Sequence, residues 1–161
     1  MGSSNGVDED SQRKITQNVA AWQQLSDGAW RLHSQWTIET VKHLAAVNIA
    51  GIAGSAAILA GTSQGATLLL KRALVAFTVG LLMALLDFWL NSIAYSKRGN
   101  DANERLVSAR RANSYEDLAW ANRDYVDPGK TLFTIAEYVG WISALSAISG
   151  GALLGYSLLS H

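Results

Sequence analysis

Residues 73–95 read ALVAFTVGLLMALLDFWLNSIAY, and this stretch decides the fold. Asp87 is its only formal charge, and no polar stripe runs along it at helical spacing. A long helix in a soluble bundle keeps one wet face, whereas a helix apolar almost all round belongs in lipid. Two further runs read the same way. VKHLAAVNIAGIAGSAAILAG, at 41–61, holds Lys42 and His43 only at its leading edge, and the run at 132–159 has Glu137 as its sole charge. Each run is about 20 residues or more, which at ~1.5 Å per residue crosses a hydrocarbon core of ~30 Å. The fold expected is an all-α integral membrane protein with three transmembrane helices.

Outward from the spans lie two wet segments. Residues 1–11 contain Asp8, Glu9 and Asp10 ahead of any basic residue, unlike a secretory signal, and read as a disordered leader. Residues 12–40 read as a long amphipathic helix. Its seam of Trp22, Leu25, Ala29, Leu32 and Trp36 alternates steps of three and four and leads without a proline into the first span. This seam suits packing against other helices or a protein partner better than adsorption to a membrane surface. Residues 62–72 form a short turn. Residues 96–131 carry two capping-box signatures, Asp101 with Glu104 and Ser114 with Asp117, which predict a helical hairpin over about 102–112 and 115–125. Pro128–Gly129 then turns the chain into the third span. The hairpin has too few apolar residues for its own core and is expected to dock on the N-terminal helix.

Basic residues set the orientation. Of the 13 Lys and Arg residues, 11 fall in 1–42 and 96–131, and only Lys71 and Arg72 fall between the first two spans. The N-terminus and the hairpin are therefore expected in the cytoplasm, the C-terminus outside, and the whole chain in a bacterial inner membrane. Lys71 and Arg72 can snorkel to the outer interface.

Small residues recur at four-residue spacing on all three spans. Gly51 and Gly54 in the first, Gly80 in the second, and Gly140, Gly151 and Gly155 in the third offer more close-packing faces than one chain needs. A homo-oligomer is the expectation. Polar side chains lie among these faces: Asn48 and His43 in the first span, Asp87 and Asn91 in the second, Glu137 in the third. Counted along the helices, Asn48, Asp87 and Glu137 converge on one layer in the cytoplasmic half of the bilayer, with His43 just above. Unpaired, such a carboxylate costs ~2.5–3.5 kcal/mol to insert. The layer is thus either an ion path, a set of structural hydrogen bonds, or a group snorkelling toward water.

The zero net charge argues against nucleic acid as a partner. The absence of cysteine excludes disulfides and thiolate chemistry, and His33, His43 and His161 lack metal-ligand spacing. No phosphate loop or catalytic constellation is present, so neither an enzyme nor a cofactor is expected. Two functions of different kind remain. One is an oligomeric pore or channel-like assembly with an acidic cytoplasmic-side layer, which in a lethal form would be a membrane-permeabilising effector. The other is a non-conducting scaffold or accessory subunit that recruits a partner through its cytoplasmic helices.

Overall fold

A computed structural model describes residues 4–32, 38–61, 67–112 and 127–159. Among the described residues there are four helices and no strand: α1 (Ser4–Leu32), α2 (Ile38–Gly61), α3 (Thr67–Arg111) and α4 (Lys130–Leu159). The fold is all-α, and α2, α3 and α4 each contain a stretch long and apolar enough to cross a membrane.

Burial in these three helices is inverted relative to a soluble protein. Val47 and Ile49 on α2, Leu82 and Trp89 on α3, and Leu145 and Ile148 on α4 are all more than half exposed. Asn48, Ser55, Asp87, Asn91 and Ser143 are buried instead. Water would reward the opposite arrangement. In lipid, large apolar side chains lose nothing by facing out, while small and polar ones bring helices together.

The chain divides into two compact units, Gln35–Ser92 with Thr131–His161, and Met1–Ser34 with Ile93–Lys130. In the first unit the inward seams repeat every seven residues. On α2 they are Val41, Asn48 and Ser55; on α3, Leu70, Ala73, Phe77, Gly80, Ala84, Asp87 and Asn91. On α4 they are Ala136, Val139, Ser143, Gly150 and Ser157. This is the repeat of helices packed side by side with knobs in holes. Phe77 sits against both Gly51 and Gly150, where any β-carbon would collide with its ring. Leu90, Ala136 and Val139, flanked by Met83 and Leu132, form the apolar cluster of this unit.

In the second unit α1 packs on the last turns of α3. Ile15 and Trp22 meet Leu106 and Ala109, with Val19 and Ala112 at the margin. The Arg105 guanidinium lies 5.1 Å from the Trp22 ring centroid. Its Nε donates to Asp101 Oδ2 at 2.9 Å. Arg110 Nη2 donates to Gln23 Oε1 at 2.6 Å. A stacked guanidinium loses less hydration than an ammonium would, which suits Arg105 to this buried place.

Three boundaries differ from the sequence expectation. Helix α1 starts at Ser4 instead of Gln12, so most of the segment read as a disordered leader is helical. Within α1 Asp10 pairs with Lys14 one turn on, at 2.7 Å, an arrangement that supports a helix. Helix α3 runs 45 residues without a break, about 67 Å at ~1.5 Å each, through the 96–101 stretch read as the approach to a new helix. Asp101, expected as a cap, lies inside α3 and binds Arg105. Gly99 costs a helix roughly 1 kcal/mol against alanine, which this ion pair and the Leu106–Ala109 contacts offset. The buried seam of α1 is Ile15–Val19–Trp22, so Leu25, expected on it, is exposed. Leu32 closes α1, while Trp36, the junction into α2 and the second hairpin helix lie outside the described residues.

Candidate functional site

The inward seam of α3 carries Asp87 and Asn91 one turn apart, and that spacing lets them bond to each other. Asn91 Nδ2 donates to Asp87 Oδ1 at 2.7 Å and to the Asp87 carbonyl at 3.0 Å. Asp87 is 8% exposed. Across from it stands Gly140 of α4, whose missing side chain makes the room: a β-carbon there would come within 3.3 Å of Asp87 Oδ2.

Asp87 and Asn91 form one wall of a cleft of about 450 Å³. Thr40 and Leu44 of α2 and Phe133, Glu137 and Trp141 of α4 complete it. Glu137 is exposed at the rim, whereas Asp87 lies within. No Lys, Arg or His occurs among the lining residues. Asp87 Oδ2 receives no hydrogen bond from the described residues, so two carboxylates share a cleft that supplies no counter-charge.

Asn48 lies elsewhere. Its Nδ2 donates to the Leu44 carbonyl at 2.8 Å and reaches Ser143 Oγ at 3.5 Å. Ser143 Oγ in turn donates to the Gly80 carbonyl at 2.7 Å. Gly80 has no side chain because Asn48 Oδ1 occupies the place where its β-carbon would be. Two polar side chains and one carbonyl thus join α2, α3 and α4, leaving only Asn48 Oδ1 and, one heptad further, Ser55 Oγ buried without a partner among the described residues.

The single polar layer expected from the sequence is therefore two levels. Gly80 precedes Asp87 by two turns, so the Asn48 level lies about 10 Å before the cleft along α3, toward its N-terminal end. Asn48 does not line the cleft, and His43 is exposed and does not line it either. Asp87, Asn91 and Glu137 do come together. Ser143 was legible only as one small residue in a row, and its role appears once the seven-residue seam is recognised.

The glycines divide the same way. Gly51, Gly80 and Gly140 face Phe77, Asn48 and Asp87, whereas Gly54, Gly151 and Gly155 meet nothing within 4 Å of a β-carbon. No protein-family model matches the chain, and neither a curated protein nor a solved structure is significantly similar to it.

Proposed function

We propose that this chain is an integral membrane protein that assembles with copies of itself into a pore or channel-like structure for cations. The N-terminus and the α1 unit lie in the cytoplasm, the C-terminus lies outside, and the membrane is a bacterial inner membrane. The observation that carries the reading is the shared cleft of Asp87 and Glu137, two carboxylates with no Lys, Arg or His among the residues that line it with them. Carboxylates repeated around an axis attract cations and repel anions. Support for assembly comes from Gly54, Gly151 and Gly155, where a β-carbon would meet nothing within 4 Å among the described residues.

The test is ion leakage from liposomes holding the wild-type protein, beside Asp87→Asn and Glu137→Gln at equal insertion. Cation leakage reduced by either substitution supports the pore. Leakage indifferent to both would remove the carboxylates from the path.

A second reading is a non-conducting scaffold. It is favoured by the separate apolar cluster of Ile15, Trp22, Leu106 and Ala109, which makes the α1 unit a structure of its own, suited to holding a partner. Particle mass separates the two readings, since a monomer cannot enclose an ion path with so little polar lining.

A further inference from the structure

The cleft is built for a particular kind of cation. A hard metal ion wants about six to eight oxygen ligands at short range. Among the described residues no group of three His, Asp or Glu side chains could hold one. The cleft offers the Asp87 carboxylate and Asn91 amide from α3, Leu44 from α2, and from α4 the Glu137 carboxylate with Phe133 and Trp141 one turn to either side of it. Its volume of about 450 Å³ suits a small organic molecule, for which pockets of roughly 300–1,000 Å³ are usual.

Asp87 is the decisive group. It is more than nine-tenths buried, Asn91 occupies Oδ1, and Oδ2 is left without a donor among the described residues. Oδ2 is not among the buried atoms left without a partner, so it opens to the cleft, and a carboxylate oxygen open to a cleft with no basic side chain in its lining attracts a donor or a positive charge. Aromatic rings in the same cleft add attraction for that charge while accepting the apolar body attached to it.

We infer that the Asp87–Glu137 cleft binds an organic ammonium, a protonated amine carrying an apolar body, with its nitrogen between the two carboxylates and its body against Phe133 and Trp141. This deepens the proposed function and rests on its reading of the cleft as a place that handles cations. The ammonium could belong to a lipid headgroup or to a free amphipathic amine, which share this chemistry.

The probe is phenethylammonium, measured by equilibrium dialysis against the full chain in nanodiscs of phosphatidylglycerol alone. Saturable binding is expected, weakened about tenfold or more in Asp87→Asn, the equivalent of about 1.4 kcal/mol. Glu137→Gln, at an exposed position that folding does not need, weakens it as well, and Trp141→Ala does so several-fold. Asp87→Glu, which keeps the charge, retains measurable binding and guards against a mere folding defect. Phosphatidylethanolamine added to the disc abolishes probe binding if the headgroup is the natural occupant, and leaves it intact if the occupant is a free amine. Non-saturable uptake, or wild-type affinity in both Asp87→Asn and Glu137→Gln, overturns the inference. Carboxylate-dependent potassium leakage without ammonium binding also overturns it while leaving the pore standing. Binding without leakage under any voltage or pH upholds the ligand site and removes the pore.

Discussion

Arg98 on α3 clasps Asp127 at the entry to α4. Its Nε donates to Asp127 Oδ1 at 2.7 Å while Nη2 donates to Oδ2. The same Oδ1 accepts the Gly129 N–H at 3.0 Å, and the Asp127 carbonyl accepts the Lys130 N–H at 3.3 Å. One carboxylate thus caps the turn that leads into α4, in which Pro128 needs no N–H partner, and also holds a guanidinium in a two-point grip. The Arg98 hydrogen bond is the main reason the Asp127 carboxyl is held below the usual carboxylate range, against a smaller opposing effect of burial.

This clasp should be lost in acid. A carboxyl whose folded pKa lies below its unfolded value near 3.9 stabilises the fold fully above that value, and the contribution disappears as pH falls through the folded pKa. The hydrogen-exchange protection factor at the start of α4, the intrinsic rate divided by the observed rate at the same pH, should therefore be flat from about pH 7 to 5 and fall below about pH 4. Asp127→Asn keeps the cap and loses the charge, whereas Asp127→Ala loses both, the cap alone being worth ~1 kcal/mol. The expected order of protection is wild type, then Asn, then Ala. Equal protection in all three would sink the clasp.

Gly51→Ala places a methyl group on the Phe77 ring, which Gly150 confines from the opposite side at 3.0 Å from its own would-be β-carbon. A β-carbon at 51 would collide with the ring, so ring or helix must shift, and a loss of ~1–3 kcal/mol is expected, typical of overpacking. Gly54→Ala meets open space and should change stability by less than ~0.5 kcal/mol. Thermal unfolding in detergent, followed by helical signal, compares the pair.

The open glycines test assembly instead. Gly151→Ile and Gly155→Ile should leave the monomer folded, because nothing lies within 4 Å of either position. Bulk there would keep neighbouring copies from close approach. Light scattering after size exclusion should show a smaller particle than wild type, and an unchanged mass would exclude these faces from the contact.

Trp22→Ala removes the side chain that joins α1 to Leu106 and Ala109 and stacks under Arg105. Truncating a buried tryptophan typically costs ~3–5 kcal/mol, enough to release α1 to proteases. Leu25→Ala, at a side chain 54% exposed, should cost little. Limited proteolysis of both variants is the check, and similar cleavage rates would return Leu25 to the seam.

Much of this was legible in one dimension. Each apolar residue adds its transfer free energy wherever it stands in a helix, so the three long apolar stretches could be counted directly from the sequence. Asp87 and Asn91 are four residues apart on one helix, a local relationship that turns into a hydrogen bond by helical geometry alone. Glu137 joined them because its distance from the end of its own span could also be counted.

Rotation and register were not legible. Rows of small residues at four-residue spacing run over several faces of α2 and α4, and composition does not rank one row above another. Packing selected the seven-residue seams Val41–Asn48–Ser55 and Ala136–Ser143–Gly150–Ser157, which keep three helices in contact over their length. That choice moved Asn48 two turns from Asp87, turned Gly151 and Gly155 outward, and set Ser143 between two neighbours. Similarly, the Asp101 capping signature matched a local rule, but the tertiary contacts of Arg105 and Leu106 kept α3 continuous through it. The apolar lengths follow from the chain because transfer energy is a sum over single residues. The site depends on which residues meet, and meeting is a property of helices fitted against one another, where a shift of one turn replaces every partner.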